Sequence, residues 1–247
     1  YHNGESEVFL GEALKKYSRD SYYLATKLPS WFMGKEGDME RIFDDQLKKC
    51  KTDYFDFYML HSVTEDIILK FEKYNAYDYL KKMKKEGKIR NLGFSFHGGT
   101  KLLEELCEKY EWDFIQLQIN YYDWYNSETA KHYEILKKHS IPCIVMEPIM
   151  GGRLANLNEQ ANEILKKEKS NISSASWAMR FAANLPNVIT VLSGMSTIDQ
   201  VKDNVNTIND LTPLSESESK AIKAAAIAFR EYFSVPCTAC GYCNVCP

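Results

Sequence analysis

Asp53-Tyr54-Phe55-Asp56-Phe57-Tyr58-Met59-Leu60-His61 is an aromatic, almost continuously apolar run that stops on a histidine. Continuous rather than alternating apolarity suits a strand covered on both faces, as in a parallel sheet flanked by helices. The carboxyl end of such a strand is where parallel α/β folds keep their chemistry. A single histidine there is more often a structural group than a catalytic one, so its meaning depends on the rest of the chain.

Working outward, the same unit recurs. Residues 6–17 predict an amphipathic helix with Val8, Leu10, Ala13, Leu14 and Tyr17 on one side. Residues 22–26 predict a strand ending on Lys27, and Asp38 predicts the cap of a helix to about Lys49. After the opening strand come a helix over 66–86 closed by Gly87, a strand over 89–95, and a helix capped by Thr100. Strands over 114–118, 142–147 and 188–192, the last also expected to be buried, alternate with helices over 127–139, 159–167 and 173–184. Thr197 with Gln200, and Ser215 with Glu218, form capping-box patterns for two final helices, the second running toward Phe233.

Strand centres near 24, 57, 92, 116, 145 and 190 with intervening helices imply parallel strands and right-handed crossovers. An eight-unit barrel takes about 250 residues, and six units fill most of this chain. No G-x-G-x-x-G turn follows a strand, which counts against an open dinucleotide-binding sheet. The expectation is an α/β fold, a TIM (β/α)8 barrel truncated by two strands.

Composition excludes several classes. The 247 residues are 45% hydrophobic and 26% charged with net charge −3, giving no global pull toward nucleic acid or an anionic membrane. No apolar run of about 18 residues exists to form a spanning helix, and the polar opening Tyr1-His2-Asn3-Gly4-Glu5 is not a secretory signal. Tyr1 in place of Met, and Pro247 directly after a cysteine cluster, give the expectation of a piece of a longer chain, with open sheet edges and an exposed core. Cys50, Cys107 and Cys143 sit in apolar context as free buried thiols, which suits a reducing cytoplasmic compartment.

In a barrel the strand carboxyl ends share one face. Here they present Lys27, His61, Ser95, Gln116 and Glu147. Five polar strand ends in succession point to a functional cleft, and Trp31, Phe32, His97 and Trp124 suggest that its walls are aromatic.

Tyr1 to Glu7 with Leu10-Gly11, Ala25-Thr26-Lys27, Tyr58-Met59-Leu60-His61, Gly93-Phe94-Ser95 and Gln116-x-x-x-Asn120 resemble, in order and spacing, the aldo/keto reductase family. The resemblance covers nearly the whole chain. It implies a TIM-barrel oxidoreductase using NADP(H), with strands 3–8 present and a barrel over residues 1–234. It also implies a catalytic Asp-Tyr-Lys-His tetrad, in which Tyr1, Lys27 and His61 match the last three. The aspartate would precede Tyr1. The resemblance further implies cofactor contacts from Ser95 and Gln116 to the nicotinamide carboxamide, and from Met146 where many relatives stack an aromatic ring. Pro148, Ile149, Gly152 and Leu154 would form a strap over the pyrophosphate, and Gly194, Ser196, Gln200 and Asn204 would serve the adenosine end. Lys202 is the nearest cation where many relatives carry a Lys/Arg pair for the 2′-phosphate, so NAD(H) stays open beside NADP(H).

The chemistry is coherent without the name. A free tyrosine titrates near about 10 and is a poor acid at neutral pH. A lysine ammonium within about 4–6 Å lowers that value, and a histidine can donate to a carbonyl oxygen and polarise it.

The tail is the second strong motif: Cys237, Cys240, Cys243 and Cys246-Pro247 form C-x₂-C-x₂-C-x₂-C-P. Four close thiolates suit an iron–sulfur cluster or zinc, and the compact run favours iron–sulfur. It resembles the ferredoxin-type [4Fe–4S] extension of one reductase branch, here residues 235–247 as the start of such a domain. By that analogy Cys237, Cys240 and Cys243 share one cluster and Cys246 serves a second.

The leading expectation is therefore an NAD(P)H-linked carbonyl/alcohol oxidoreductase with an attached cluster for electron transfer or structure. Its partners would be a small carbonyl or alcohol substrate and a redox protein. The alternatives are a nucleotide-sensing barrel subunit without turnover and a ferredoxin-like carrier.

Overall fold

The computed structural model describes residues 1–230. They carry six strands, each close to an expected centre, in two compact units, the first Tyr1–Ile115 and the second beginning at Gln116.

The first unit runs α1 (Glu5–Leu14), β1 (Ala25–Leu28), α2 (Asp38–Cys50), β2 (Phe55–Val63), α3 (Glu65–Lys73), α4 (Ala76–Lys85), β3 (Ile89–Phe96) and α5 (Thr100–Lys109). β4 (Phe114–Gln118) begins in it. β1, β2 and β3 pair in parallel, with Lys27 opposite Met59 and Met59 opposite Gly93. The apolar run of β2 is buried on both faces, as its composition requires. Phe55 and Tyr58 both pack on Phe43 of α2, with ring centroids 6.0 and 5.1 Å away. Phe57 sits edge-on to Phe114 at 5.2 Å. Each such buried ring is worth about 1.5–3 kcal/mol. Gly93 makes room for Phe114, because a Cβ there would lie 2.3 Å from the Phe114 carbonyl oxygen. α1 lies against α2 through buried Gly11, whose Cβ would stand 2.1 Å from the Lys49 carbonyl oxygen.

Several ends differ from expectation for local reasons. β1 starts at Ala25 rather than Tyr22, because the Leu24 amide donates to the Asp56 carboxylate at 2.9 Å. Arg19 donates to the same carboxylate at 2.6 Å. α1 ends at Leu14, and Val8 and Tyr17, expected inside, are exposed. Asp38 does not cap α2. Its carboxylate turns back to accept the Gly34 and Lys35 amides at 2.8 and 3.0 Å, and Gly37 at φ +83° takes the cap. The single helix expected over 66–86 is two, divided at Asn75, which adopts the left-handed conformation that asparagine tolerates. Thr100 opens α5 rather than capping it, and Gly99 is the cap.

The second unit holds α6 (Tyr121–Asn126), α7 (Thr129–Lys138), β5 (Cys143–Met146), α8 (Glu159–Glu168), α9 (Ser174–Ala183), β6 (Val188–Val191), α10 (Ile198–Asn209) and α11 (Glu216–Arg230). β5 and β6 are parallel. α6 is an extra helix, capped by Asn120, whose side-chain oxygen accepts the Asp123 amide at 2.8 Å. β6 is not the buried strand expected: Ile189 is 54% and Leu192 44% exposed, since β6 pairs with β5 alone. Both capping boxes form, and Glu218 of the second also meets Arg180 at 2.7 Å. Cys50, Cys107 and Cys143 are buried free thiols, as expected. Cys237, Cys240, Cys243 and Cys246 lie outside the described residues, as does the end of the helix expected to reach Phe233.

Candidate active site

Lys27 near the end of β1 is aligned with Met59, two residues before His61 on β2, and Lys27 and His61 line the same cavity. Tyr1 reaches this face from a short 3-10 turn, His2–Gly4, that leads into α1. Its hydroxyl lies 3.2 Å from His61 Nε2, and Lys27 Nζ lies 5.3 Å from the centre of its ring. Three residues far apart in sequence thus meet at the carboxyl ends of two neighbouring strands. Trp31, in the turn Ser30–Phe32 after β1, sets its ring 4.9 Å from the His61 imidazole. These groups border a cavity of about 560 Å³ that Trp31, Phe32 and Thr26 help to line. Tyr1, Trp31 and Phe32 are exposed, whereas His61 is 6% exposed. The site therefore has open aromatic walls above a buried imidazole.

Burial governs the electrostatics. Desolvation lowers the Lys27 ammonium from its usual 10.5 to about 8. Burial, with the Lys27 charge second, pushes His61 down to about 3, so its imidazole is neutral across the physiological range. A neutral imidazole keeps one N–H donor and one acceptor. Against the Tyr1 hydroxyl, either atom can carry the shared proton. His97, after β3, is lowered too, by burial first and the Lys27 charge second.

A buried support that the sequence reading missed lies behind Lys27. Gln46 of α2 donates to the Lys27 carbonyl at 2.8 Å and accepts from the Tyr58 hydroxyl at 2.6 Å. The signal was present, because Gln46 falls on the buried stripe of Ile42, Phe43 and Cys50. Thr26 donates to Glu7 of α1 at 2.6 Å, tying β1 to the helix that follows Tyr1. Ser95 is 1% exposed, and its hydroxyl accepts the Ser62 amide at 2.8 Å.

In the second unit, Gln116 donates to the Met146 sulfur at 3.0 Å. Its Oε1 is buried without a hydrogen-bond partner among the described residues, an acceptor awaiting a donor. Glu147, grouped above with the strand-end cleft residues, adopts φ +55° just past β5, and its carboxylate accepts the Gly151 amide at 2.7 Å. It is therefore a loop brace. The segment Pro148 to Leu154 is knitted by backbone bonds from the Gly152 and Leu154 amides to the Ile149 carbonyl, at 3.0 and 3.1 Å. Gly151, Gly152 and Arg153 border an open cavity of about 670 Å³. Gln200 accepts the Ser196 and Thr197 amides at 2.7 and 3.1 Å, and Asn204 donates to Ser193 at 2.9 Å. A Cβ at Gly194 would meet nothing within 4 Å. Trp124 packs in an aromatic cluster with Tyr133 and Phe181.

The described residues contain no helix long and apolar enough to cross a membrane. The uncharacterised oxidoreductase YqkF of Bacillus subtilis is 28% identical over 255 residues, covering 91% of this chain and 80% of that protein. L-galactose dehydrogenase of Arabidopsis thaliana is 23% identical, covering 92% and 77%. Among solved structures, the holo form of aldo-keto reductase AKR11C1 from Bacillus halodurans superposes with a TM-score of 0.72 at 27% identity, covering 91% of this chain and 79% of that one. The aldo/keto reductase family model matches residues 1–227, and the chain belongs to that family of oxidoreductase enzymes.

Proposed function

We propose that the chain is an NAD(P)H-dependent enzyme interconverting a small carbonyl compound and its alcohol, with strands 3–8 of a (β/α)8 barrel carrying the site. The observation behind this reading is the Tyr1 hydroxyl 3.2 Å from a buried, neutral His61, with Lys27 beside the tyrosine ring.

When bound, a dihydronicotinamide would supply the hydride for the carbonyl carbon. This chain supplies the proton and the orientation. Tyr1 is the general acid, its hydroxyl proton passing to the developing alkoxide. Lys27, as ammonium, steadies the phenolate left behind. His61, being neutral, donates from Nε2 to the carbonyl oxygen and fixes the face presented to hydride. The family resemblance matches Ser95, Gln116 and Met146 to the nicotinamide end, and the unpartnered Gln116 Oε1 fits a carboxamide N–H donor. Pro148, Ile149, Gly152 and Leu154 fit a pyrophosphate strap, while Gly194, Ser196, Gln200 and Asn204 serve the adenosine end. A similarly folded Klebsiella pneumoniae protein, 22% identical, holds NADP and acetate. Lys202 is the nearest cation where many relatives carry a Lys/Arg pair, so NAD(H) stays open beside NADP(H).

For the tail, Cys237, Cys240 and Cys243 suit one [4Fe–4S] cluster and Cys246 a second, with a barrel over residues 1–234 and a cluster domain beginning at 235. A reducing cytoplasmic setting suits both those clusters and the buried thiols.

The test is Tyr1→Phe, assayed by NADPH oxidation with an aldehyde panel. The expected loss in kcat is about 10²–10⁴-fold, with NADPH affinity unchanged by fluorescence titration. An active Tyr1→Phe enzyme overturns the assignment.

A further inference from the structure

β2 does not run straight through His61. Leu60 faces Phe94 and Val63 faces Phe96, so the step from 60 to 63 on β2 spans only 94 to 96 on β3. One extra residue is inserted, a β-bulge over His61 and Ser62. Ser62 adopts φ +57°, a left-handed conformation uncommon for a residue with a Cβ. It is buried, and its amide, which the bulge removes from the regular ladder, donates to Ser95 Oγ at 2.8 Å. Backbone of this kind persists where its surroundings over-determine it, and it gathers at functional sites. Here it flanks the His61 imidazole, which contacts the Tyr1 hydroxyl at 3.2 Å.

We propose that Ser62 and Ser95 are positioning residues for His61. The inserted residue aims the imidazole at Tyr1, and the Ser95 hydroxyl locks the bulge by accepting the Ser62 amide. The inference rests on the reading of His61 as the carbonyl-orienting group. A hydroxyl has two acceptor sites and one donor, so accepting the Ser62 amide leaves Ser95 its own O–H to donate toward a nicotinamide. Ser95 is therefore shared between the cofactor position and the aim of His61, and disturbing it disturbs both.

The experiment has two arms on the full chain. In the first, the His61 imidazole resonance is assigned by its disappearance in His61→Gln and followed by NMR. Ser95→Ala shifts it, and Ser95→Thr, which keeps the hydroxyl, returns it. Ser62→Val, whose branched side chain disfavours left-handed backbone, shifts it more than Ser62→Gly. In the second arm, reduction of p-nitrobenzaldehyde is measured at saturating NADPH. Ser95→Ala loses about tenfold to a hundredfold in kcat/KM, and most of that loss vanishes on the His61→Gln background. An unmoved His61 resonance in Ser95→Ala, or equal losses with and without His61, overturns the proposal. If His61→Gln alone reduces the aldehyde like the wild type, the orienting role of His61 fails instead, and the resonance arm still decides whether the bulge is clamped.

Discussion

The two units prepare their polar groups by opposite means. Around Tyr1, Lys27 and His61, burial does the work: an ammonium is brought down to about 8 and an imidazole to about 3. In the second unit, the residues matched to the adenosine end are turned toward backbone. Gln200 accepts two amides and lies in the capping box of α10, and Asn204 holds Ser193. One region tunes protonation, and the other shapes a loop and a helix start. A proton-transfer site gains from low dielectric, whereas a loop that embraces a ligand gains from satisfied amides.

The contrast can be broken most sharply at Lys27. Lys27→Met should lower kcat for carbonyl reduction by about 10²–10³-fold. The wild-type rate should fall as pH rises through about 8, where Lys27 loses its proton, and that limb should vanish in the variant. Stability has the opposite sign. Between about 8 and the ordinary 10.5 the unfolded chain holds a proton that the folded chain lacks, so stability rises with pH across that window. Below it the burial penalty is present in full, and Lys27→Met should raise Tm at neutral pH.

Gly11→Ala tests whether the first unit depends on helix docking as well as burial. It should cost about 1–3 kcal/mol in chemical denaturation and lower turnover with it. Thr197→Ala tests the other region. Loss of the α10 cap should cost about 0.5–2 kcal/mol and weaken NADPH binding, while kcat at saturating cofactor holds. The smallest effect expected is a null one. The kcat/KM profile should show no limb near 6.5, because folded His61 stays neutral down to about 3. His61 should instead show in acid stability, which is lost as pH falls from 6.5 toward 3 while the unfolded chain takes up the proton.

Much of this was legible in the sequence. β2 and β5 are almost continuous apolar runs, and the strands alternate with helix-spaced segments, signals that can be read locally. Their limits were not legible, because a distant side chain set them: Asp56 captures the Leu24 amide and delays β1. The split at Asn75 and the cap at Gly37 depend on left-handed backbone that neighbouring sequence does not dictate. Tyr1, Lys27 and His61 could be read from strand ends and motif spacing. The bulge beside His61 could not, because it exists only in the register between β2 and β3.

The approach of α1 to α2 has a consequence for how this enzyme can change. At Gly11 the contact is main chain against main chain, at the Lys49 carbonyl, so at that point the seating of the helix that follows Tyr1 does not depend on side-chain size. Residues around the mouth of the cavity, Trp31 and Phe32 among them, can then be exchanged for others without unseating that helix. On the proposed reading, substrate preference is free to drift while Tyr1 stays in place.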